Sequence, residues 1–323
     1  MDPLIEWSYD LGRGSQFEPH VAGDIVFCGS SSGKLHALDC RSGDHVWSSD
    51  LGSPLIRSGC ASSRGLLFCG SDHGELFGIV ASTGEVAWKH HAVGALRSTP
   101  VVDDDCVYFA TFAGEVRSLS KLDGSLNWQI QIGAEVASSP SISHGRLIVG
   151  AYDYFLYCFG KDGSLIWKTK TEFWCQTSPC CAGMYIYSAS HDKMCRFDAR
   201  DGRCSLQFKC DSEVIASPLL YNGLLVFGGY DGCMYCINAS DFTHRWTVRS
   251  GEFFVARPQM TTAGVLFGGY DGKLYCVEIA TGRTLWTLDF PDAIGESCAV
   301  HDGRAFLTCG DGRLYGVRIP QAT

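Results

Sequence analysis

Tryptophan recurs along this chain at Trp7, Trp47, Trp88, Trp128, Trp167, Trp246 and Trp286, in steps of 39 to 41 residues once Leu206 is counted as the missing beat. A second marker keeps the same period: Pro19, Pro100, Pro140, Pro179, Pro218 and Pro258, with Gly59 and Cys298 in the two remaining places. Two residue types sharing one period over a whole chain specify a repeat architecture, in which each copy buries its apolar face against its neighbours.

One copy, from Ala216 to Val248, shows what the unit contains. Ser217-Pro-Leu-Leu leads to a turn at Asn222-Gly223, then to Leu224-Leu-Val-Phe-Gly-Gly, a turn at Tyr230-Asp-Gly232, Met234-Tyr-Cys-Ile, and a last run His244-Arg-Trp-Thr-Val. Short apolar or β-branched runs bounded by Asn-Gly and Asp-Gly are strand and hairpin signals. No segment carries apolar residues at helical spacing over three turns, so helices are not expected. Four-stranded antiparallel units at this period predict an all-β, eight-bladed β-propeller, with strands A to D running outward in each blade. Strand A is expected to begin at the Ser-Pro signal, where proline is tolerated. Eight A strands but only seven following D strands can be counted, and Leu4-Ile-Glu-Trp7-Ser has the D signature with nothing before it. The N-terminal strand is therefore expected to complete the last blade, beside Ser297 to Ile319, leaving no free edge between blades.

The repeats consume residues 1–323, which predicts a single domain. A net charge of −9, with no Lys/Arg cluster, argues against nucleic acid as a partner. The opening Met-Asp-Pro-Leu-Ile-Glu-Trp has neither the basic nor the apolar stretch of a signal peptide, and no apolar run is long enough to span a bilayer. Cys28, Cys69 and Cys309 are read as sharing one register in strand B, and Cys158, Cys236 and Cys276 one register in strand C, so the 17 cysteines read as small core residues rather than a disulfide framework. The odd count and the missing export signal predict a cytoplasmic protein.

The repeat is carried by Asp123-Gly-Ser-Leu-Asn-Trp128, Ala137-Ser-Ser-Pro140 and Tyr270-Asp-Gly-Lys-Leu-Tyr-Cys276. It resembles the pyrroloquinoline-quinone (PQQ) enzyme repeat over the entire chain. The resemblance implies a fold shared by quinoprotein alcohol dehydrogenases, by a bacterial outer-membrane assembly lipoprotein that binds partners and no cofactor, and by the C-terminal propeller of the β-alanine-activating enzyme. Ser178-Pro-Cys180 and Ser190-His-Asp192 are similar to the cysteine-rich copies of that last propeller. Quinoprotein dehydrogenases set an adjacent-cysteine disulfide against PQQ, but Cys180-Cys181 follows a Ser-Pro signal in strand register and reads as packing. Cys233 and Cys236 point to opposite faces of a strand, which removes them as a metal pair.

Asp72, Asp153, Asp192, Asp231, Asp271 and Asp311 fall in B–C turns, where aspartate suits a tight turn. Departures from the repeat are more informative. The D–A and B–C loops lie at one end of the blades, so irregular residues there are expected to gather at one mouth of the central channel. Trp174 is the only tryptophan out of phase, within Glu172-Phe173-Trp-Cys, and Phe253 is its counterpart in Glu252-Phe-Phe-Val. Phe17, Tyr152, Tyr154, His191, Tyr230 and Tyr270 belong to the same end. Glu18, Arg57, Arg97, Arg257 and Glu296 intrude where serine or alanine is usual. Such a mouth suits a planar anionic ligand through stacking and bidentate contacts; equally, the aromatics could cap the channel while the charges pair with one another. His90-His91 reads as an exposed dipeptide. The expectation is a monomeric, non-catalytic propeller without a cofactor that binds a protein partner or such a ligand. Two alternatives stand beside it: a PQQ binder or dehydrogenase, and an accessory propeller of an adenylating enzyme.

Overall fold

The computed structural model describes residues 2–12, 17–52 and 59–320, and every regular element among them is a β-strand. The strands form eight four-stranded antiparallel sheets, the blades of an eight-bladed β-propeller. Seven blades take four consecutive strands; blade six, for example, uses Leu219–Tyr221, Leu224–Gly228, Cys233–Asn238 and His244–Arg249 as strands A to D. The eighth sets Leu4–Asp10 against Arg313–Arg318, so the strand expected to complete it does so. Two compact units are delimited, residues 57–214 holding blades two to five and residues 1–56 with 215–323 holding the others.

Strand A starts one residue after the proline, not at the Ser-Pro signal: Val101 follows Pro100 and Ser141 follows Pro140. The residues before the proline are occupied otherwise. The Ser98 and Ser138 hydroxyls donate to Ala110 O (2.8 Å) and Gly150 O (2.9 Å) of their own strand B. The next residue ties blade to blade. Gly59 N donates to Thr99 Oγ1 (2.9 Å), Thr99 N to Ser139 Oγ (2.9 Å) and Ser139 N to Ser178 Oγ (3.0 Å). The Ser-Ser-Pro signature is thus one hydroxyl for the blade and one for its neighbour.

The periodic tryptophans make the second inter-blade contact. Indole Nε1 donates to a carbonyl of the next blade from Trp88 (Lys121 O, 3.1 Å), Trp128 (Lys161 O, 2.7 Å) and Trp167 (Ala199 O, 3.1 Å) in the one unit. Trp7 (Cys40 O, 3.2 Å) and Trp246 (Ile279 O, 2.8 Å) do the same in the other. Each ring lies on a glycine of positive φ; a Cβ added at Gly282 (φ +74°) would sit 2.6 Å from Trp246 Cγ. In the repeat register, Leu206 replaces the tryptophan of blade five and Phe242 replaces the glycine of blade six, taking up glycine's conformation at φ +60°.

Turn aspartates do more than turn the chain. In blades four, six, seven and eight one carboxylate oxygen takes a backbone N–H two residues on. The other accepts the strand C phenol, Tyr157 to Asp153 (2.5 Å), Tyr235 to Asp231 (2.6 Å), Tyr275 to Asp271 (2.5 Å) and Tyr315 to Asp311 (2.5 Å). All 17 cysteines are free thiols. Cys158, Cys236 and Cys276 share one buried register, each opposite a strand D tryptophan. Burial pushes their thiols up, to about 11 for Cys158 and about 12 for the other two. Cys309 departs from its expected register: it lies one residue beyond strand B, and Leu307 pairs with Tyr315 as Cys28 pairs with His36. Cys180 and Cys181 sit in strand A of blade five, opposite Tyr187 and Ile186.

Trp246→Phe, which keeps an aromatic ring but loses the bond to Ile279, is expected to cost about 1 kcal/mol in urea unfolding. Trp246→Ala removes the ring as well and is expected to cost about 3–5 kcal/mol. A pH dependence follows from His36, whose Nδ1 lies 3.3 Å from the Tyr9 hydroxyl and whose ring packs near His45. Burial first, then the charges of His45 and Lys34, depress it from 6.5 to about 4. The unfolded chain takes up this proton first, so stability is full above pH 6.5 and falls as pH drops towards 4. Urea midpoints measured across that window are expected to decline in the wild type and to decline less in His36→Gln.

Candidate functional site

The four departures Phe173, Trp174, Tyr154 and His191 come together in the unit of residues 57–214. Phe173 and Trp174 leave strand D of blade four (Leu165–Lys170). Tyr154 stands in the B–C turn of that blade, between Arg146–Gly150 and Phe155–Gly160, and His191 in the turn of blade five, between Tyr185–Ser190 and Lys193–Asp198. Ring centroids of Phe173 and His191 stack at 4.4 Å. Trp174 meets Tyr152 edge-on at 6.1 Å and His191 at 6.4 Å, and lies nearly parallel to Tyr154 at 6.4 Å. D–A loops and B–C turns therefore share one end, as expected.

Backbone bonds hold these rings in place. Phe173 N donates to Ser190 Oγ (3.0 Å), Thr171 N to Tyr154 O (2.8 Å), and Val214 N to His191 O (2.8 Å). The indole Nε1 of Trp174 donates to Glu213 Oε1 (2.9 Å), which also accepts from Gln176 Nε2 (2.8 Å). Phe112 continues the row, edge-on to Tyr152 at 6.4 Å, and the Arg97 guanidinium lies 4.2 Å over its ring with Nε buried and unbonded. Phe173 (39 % exposed) and Tyr154 (40 %) face solvent, while Trp174 is half-buried.

Two of these residues are held against their conformational preference. The B–C turns of the other six blades carry glycine at positive φ, at Gly33, Gly74, Gly114, Gly232, Gly272 and Gly312. Tyr154 (φ +68°) and His191 (φ +54°) are the non-glycine residues in that region among these turns. Left-handed backbone costs a non-glycine residue roughly 1–2 kcal/mol. Blade five also spends one residue fewer on this turn: Ala189 pairs with Met194, whereas Gly150 pairs with Leu156 in blade four.

The remaining candidates lie elsewhere. In the other unit Phe253 meets Tyr230 edge-on at 5.1 Å and Tyr270 at 6.2 Å. Arg257 N donates to Ser297 Oγ (3.1 Å), Glu296 lines a 200 Å³ recess with Tyr270 and Asp292, and Glu18 lies by Cys298. Arg57 falls outside the described residues. His90 is not simply surface: its Nε2 lies 2.8 Å from Arg117 Nη1, beside the buried Arg117–Glu115 pair (2.8 Å). Glu213 was not singled out from the sequence, although it stands one period after Trp174 and so in the same repeat position.

A family profile described as outer membrane protein assembly factor BamB matches residues 5–58, 31–151, 113–205, 155–263 and 254–321. The BamB of Yersinia pestis is 23 % identical over 328 residues, covering 79 % of this chain and 84 % of its own length. The β-alanine-activating enzyme of Mus musculus is 27 % identical over 106 residues, which are 30 % of this chain and 10 % of the enzyme. That similarity is confined to a short stretch. The crystal structure of quinohemoprotein alcohol dehydrogenase from Comamonas testosteroni aligns with a TM-score of 0.82 at 14 % identity, over 99 % of this chain and 78 % of that one. At such identity the likeness is one of fold. The cytoplasmic expectation is corrected by these matches, since the family and the Yersinia pestis relative are described as outer membrane protein assembly factors. Its premise fails physically too: thiols buried in strand registers are packing groups, and their number says nothing of a compartment.

Tyr154→Gly is expected to raise stability by about 1 kcal/mol, because glycine adopts φ +68° freely and the lost ring is partly exposed. Urea unfolding of the two proteins measures the difference, and loss of the Tyr154 ring is expected to shift the emission of Trp174.

Proposed function

Since the chain belongs to the family of the outer membrane protein assembly factor BamB, we propose that it is a non-catalytic scaffold that takes a protein partner on the aromatic surface around Trp174. The observation that carries this reading is the strained pair Tyr154 and His191. Backbone held in a sparsely populated region at a cost in stability marks a position kept for what its side chain does, and both side chains pack into the Phe173–Trp174 cluster. Half-exposed tryptophan, tyrosine and phenylalanine provide large contact area at low entropic cost, the composition of an interaction hot spot.

The electrostatics favour one kind of partner. The Glu213 carboxylate accepts from Trp174 Nε1, and Glu172 and Asp192 flank Phe173 and His191. A planar dianion stacking on Trp174 would meet that carboxylate, and Arg97 is engaged on Phe112. A protein segment presenting an apolar side chain beside lysine or arginine meets no such repulsion. The names of the relatives make a component of outer membrane protein assembly the first partner to test.

A photo-crosslinking residue placed at Phe173 in otherwise wild-type protein, expressed in cells, is expected to capture one such component. The same residue at Leu126, on strand D of blade three, is expected to capture none. Trp174→Ala should weaken the captured complex by about 2 kcal/mol, roughly thirtyfold in Kd, with little change in fold by circular dichroism. Saturable quenching of Trp174 by PQQ, with no captured protein, would replace this reading with the ligand one.

A further inference from the structure

Blade four closes its seam with blade three by a row of rings. Tyr157, on strand Phe155–Gly160, lies parallel to Phe159 at 5.7 Å and meets Phe155 at 6.0 Å. Lys168 Nζ covers the row, 4.8 Å from the Phe155 ring centre and 5.9 Å from that of Tyr157. Ile130 and Ile132 of blade three pack into the same cluster from across the seam.

The seam between blades four and five repeats the backbone without the filling. Strand register sets Lys193, Cys195, Phe197 and Gln207 where blade four has Phe155, Tyr157, Phe159 and Lys168. The tryptophan period sets Thr169 and Thr171 where blade three has Ile130 and Ile132. Phe197 alone keeps its ring. Tyrosine holds the Cys195 position in four other blades, and His36, Phe77 and Arg117 hold it in three. A cavity of 660 Å³ opens where these long side chains are missing. Its inner wall includes Thr171, Ser190, Cys195 and Phe197, all buried, while Lys170, Glu172 and Gln207 stand at its exposed rim. Polar groups at the inner end are bonded within the protein: Thr171 Oγ1 donates to Phe173 O (2.6 Å), and Phe173 N donates to Ser190 Oγ (3.0 Å). At the rim, Lys193 Nζ pairs with Glu172 Oε2 (2.5 Å). What the inner end offers is an apolar surface, the Phe197 ring beside the thiol of Cys195, in the place of a missing phenol.

We propose that this cavity takes an aromatic side chain of a protein partner, which enters the seam where Tyr157 stands in the preceding one and stacks on Phe197. A single ring fills only the inner end. The remaining volume, bounded by Lys170 and Gln207, accommodates the backbone of the extended segment that carries the ring, which a free aromatic molecule leaves to water. An aromatic anchor in a desolvated pocket is the usual centre of a binding hot spot. Phe173 belongs both to the cavity wall and to the Trp174 cluster, so anchor and exposed aromatic surface form one continuous face. The inference rests on the scaffold reading for the source of the ring, and on the two seams for the site itself.

p-Cresol, the side chain of tyrosine, probes the site without a partner. Saturation-transfer NMR on the purified protein is expected to show saturable binding that Cys195→Tyr and Cys195→Phe both abolish. These plugs install the residues of blades four and two, and are expected to keep native circular dichroism and to raise the urea midpoint by filling the cavity. They are also expected to weaken the complex captured from Phe173 about tenfold. No binding of p-cresol to the wild type, or equal binding to the plugged proteins, would overturn the site. Plugged proteins that unfold would overturn it too, since the seam then has no room for a ring. Cresol binding lost in the plugs, with capture unchanged, would overturn the partner's anchor and leave the Trp174 surface as its seat. No capture by the wild type would instead remove the scaffold reading, and the cresol measurement would still decide the site.

Discussion

An indole N–H reaching a carbonyl of the next blade, over a glycine that leaves room for the ring, is the interaction on which this fold depends. A four-stranded blade is too thin to have a core of its own. Its strands B and C are buried almost completely, whereas strand D alternates between exposed and half-buried residues. The tryptophan is where the outer strand contributes to the seam between blades, and at Trp7, Trp88, Trp128, Trp167 and Trp246 its one polar atom is satisfied by the same neighbour that covers the ring, whereas Trp286 Nε1 is buried without a partner. That coupling explains why Trp and Gly keep one period. The ring excludes any Cβ opposite it, and positive φ excludes most other residues independently. Where Leu206 breaks the period, Phe242 breaks it too, and a phenylalanine accepts glycine's conformation at φ +60°.

Most of the fold was legible because regular residues report regular structure. Trp7 without strands before it located the completing strand of blade eight, and Asp-Gly turns located the B–C hairpins. The proline signal was read one residue early at strand A, since a sequence cannot show that Ser98 and Thr99 spend their hydroxyls on two different blades. Cys309 was misread by two residues because Cys-Gly occurs both inside strand B, as Cys69-Gly70, and just beyond it. The site was legible only as a set of exceptions. Trp174, Phe173, Tyr154 and His191 were chosen for being out of pattern, and they meet. Glu213 was missed because a glutamate in a loop looks ordinary until its partner is known.

The cluster in blades four and five relaxes a rule that the other six blades obey. Tyr154 and His191 give up the ease of glycine in a turn. Sites in repeat proteins are most readily built this way, because the remaining copies carry the stability that the altered ones forgo.

The eighth blade carries a consequence for how the molecule is made. Its outer strand, Leu4–Asp10, is synthesised first, and its partner, Arg313–Arg318, some three hundred residues later. During elongation the early strand is an amphipathic segment with open hydrogen-bonding groups on both edges, and a passing chain can pair with it as readily as its own late partner. Glu6, which bonds Arg304 at 2.6 Å and also Arg318, supplies a charge that discourages such pairing until the two arginines emerge. Until that partner emerges, this seven-residue strand keeps a pairing edge that only the far end of the chain covers.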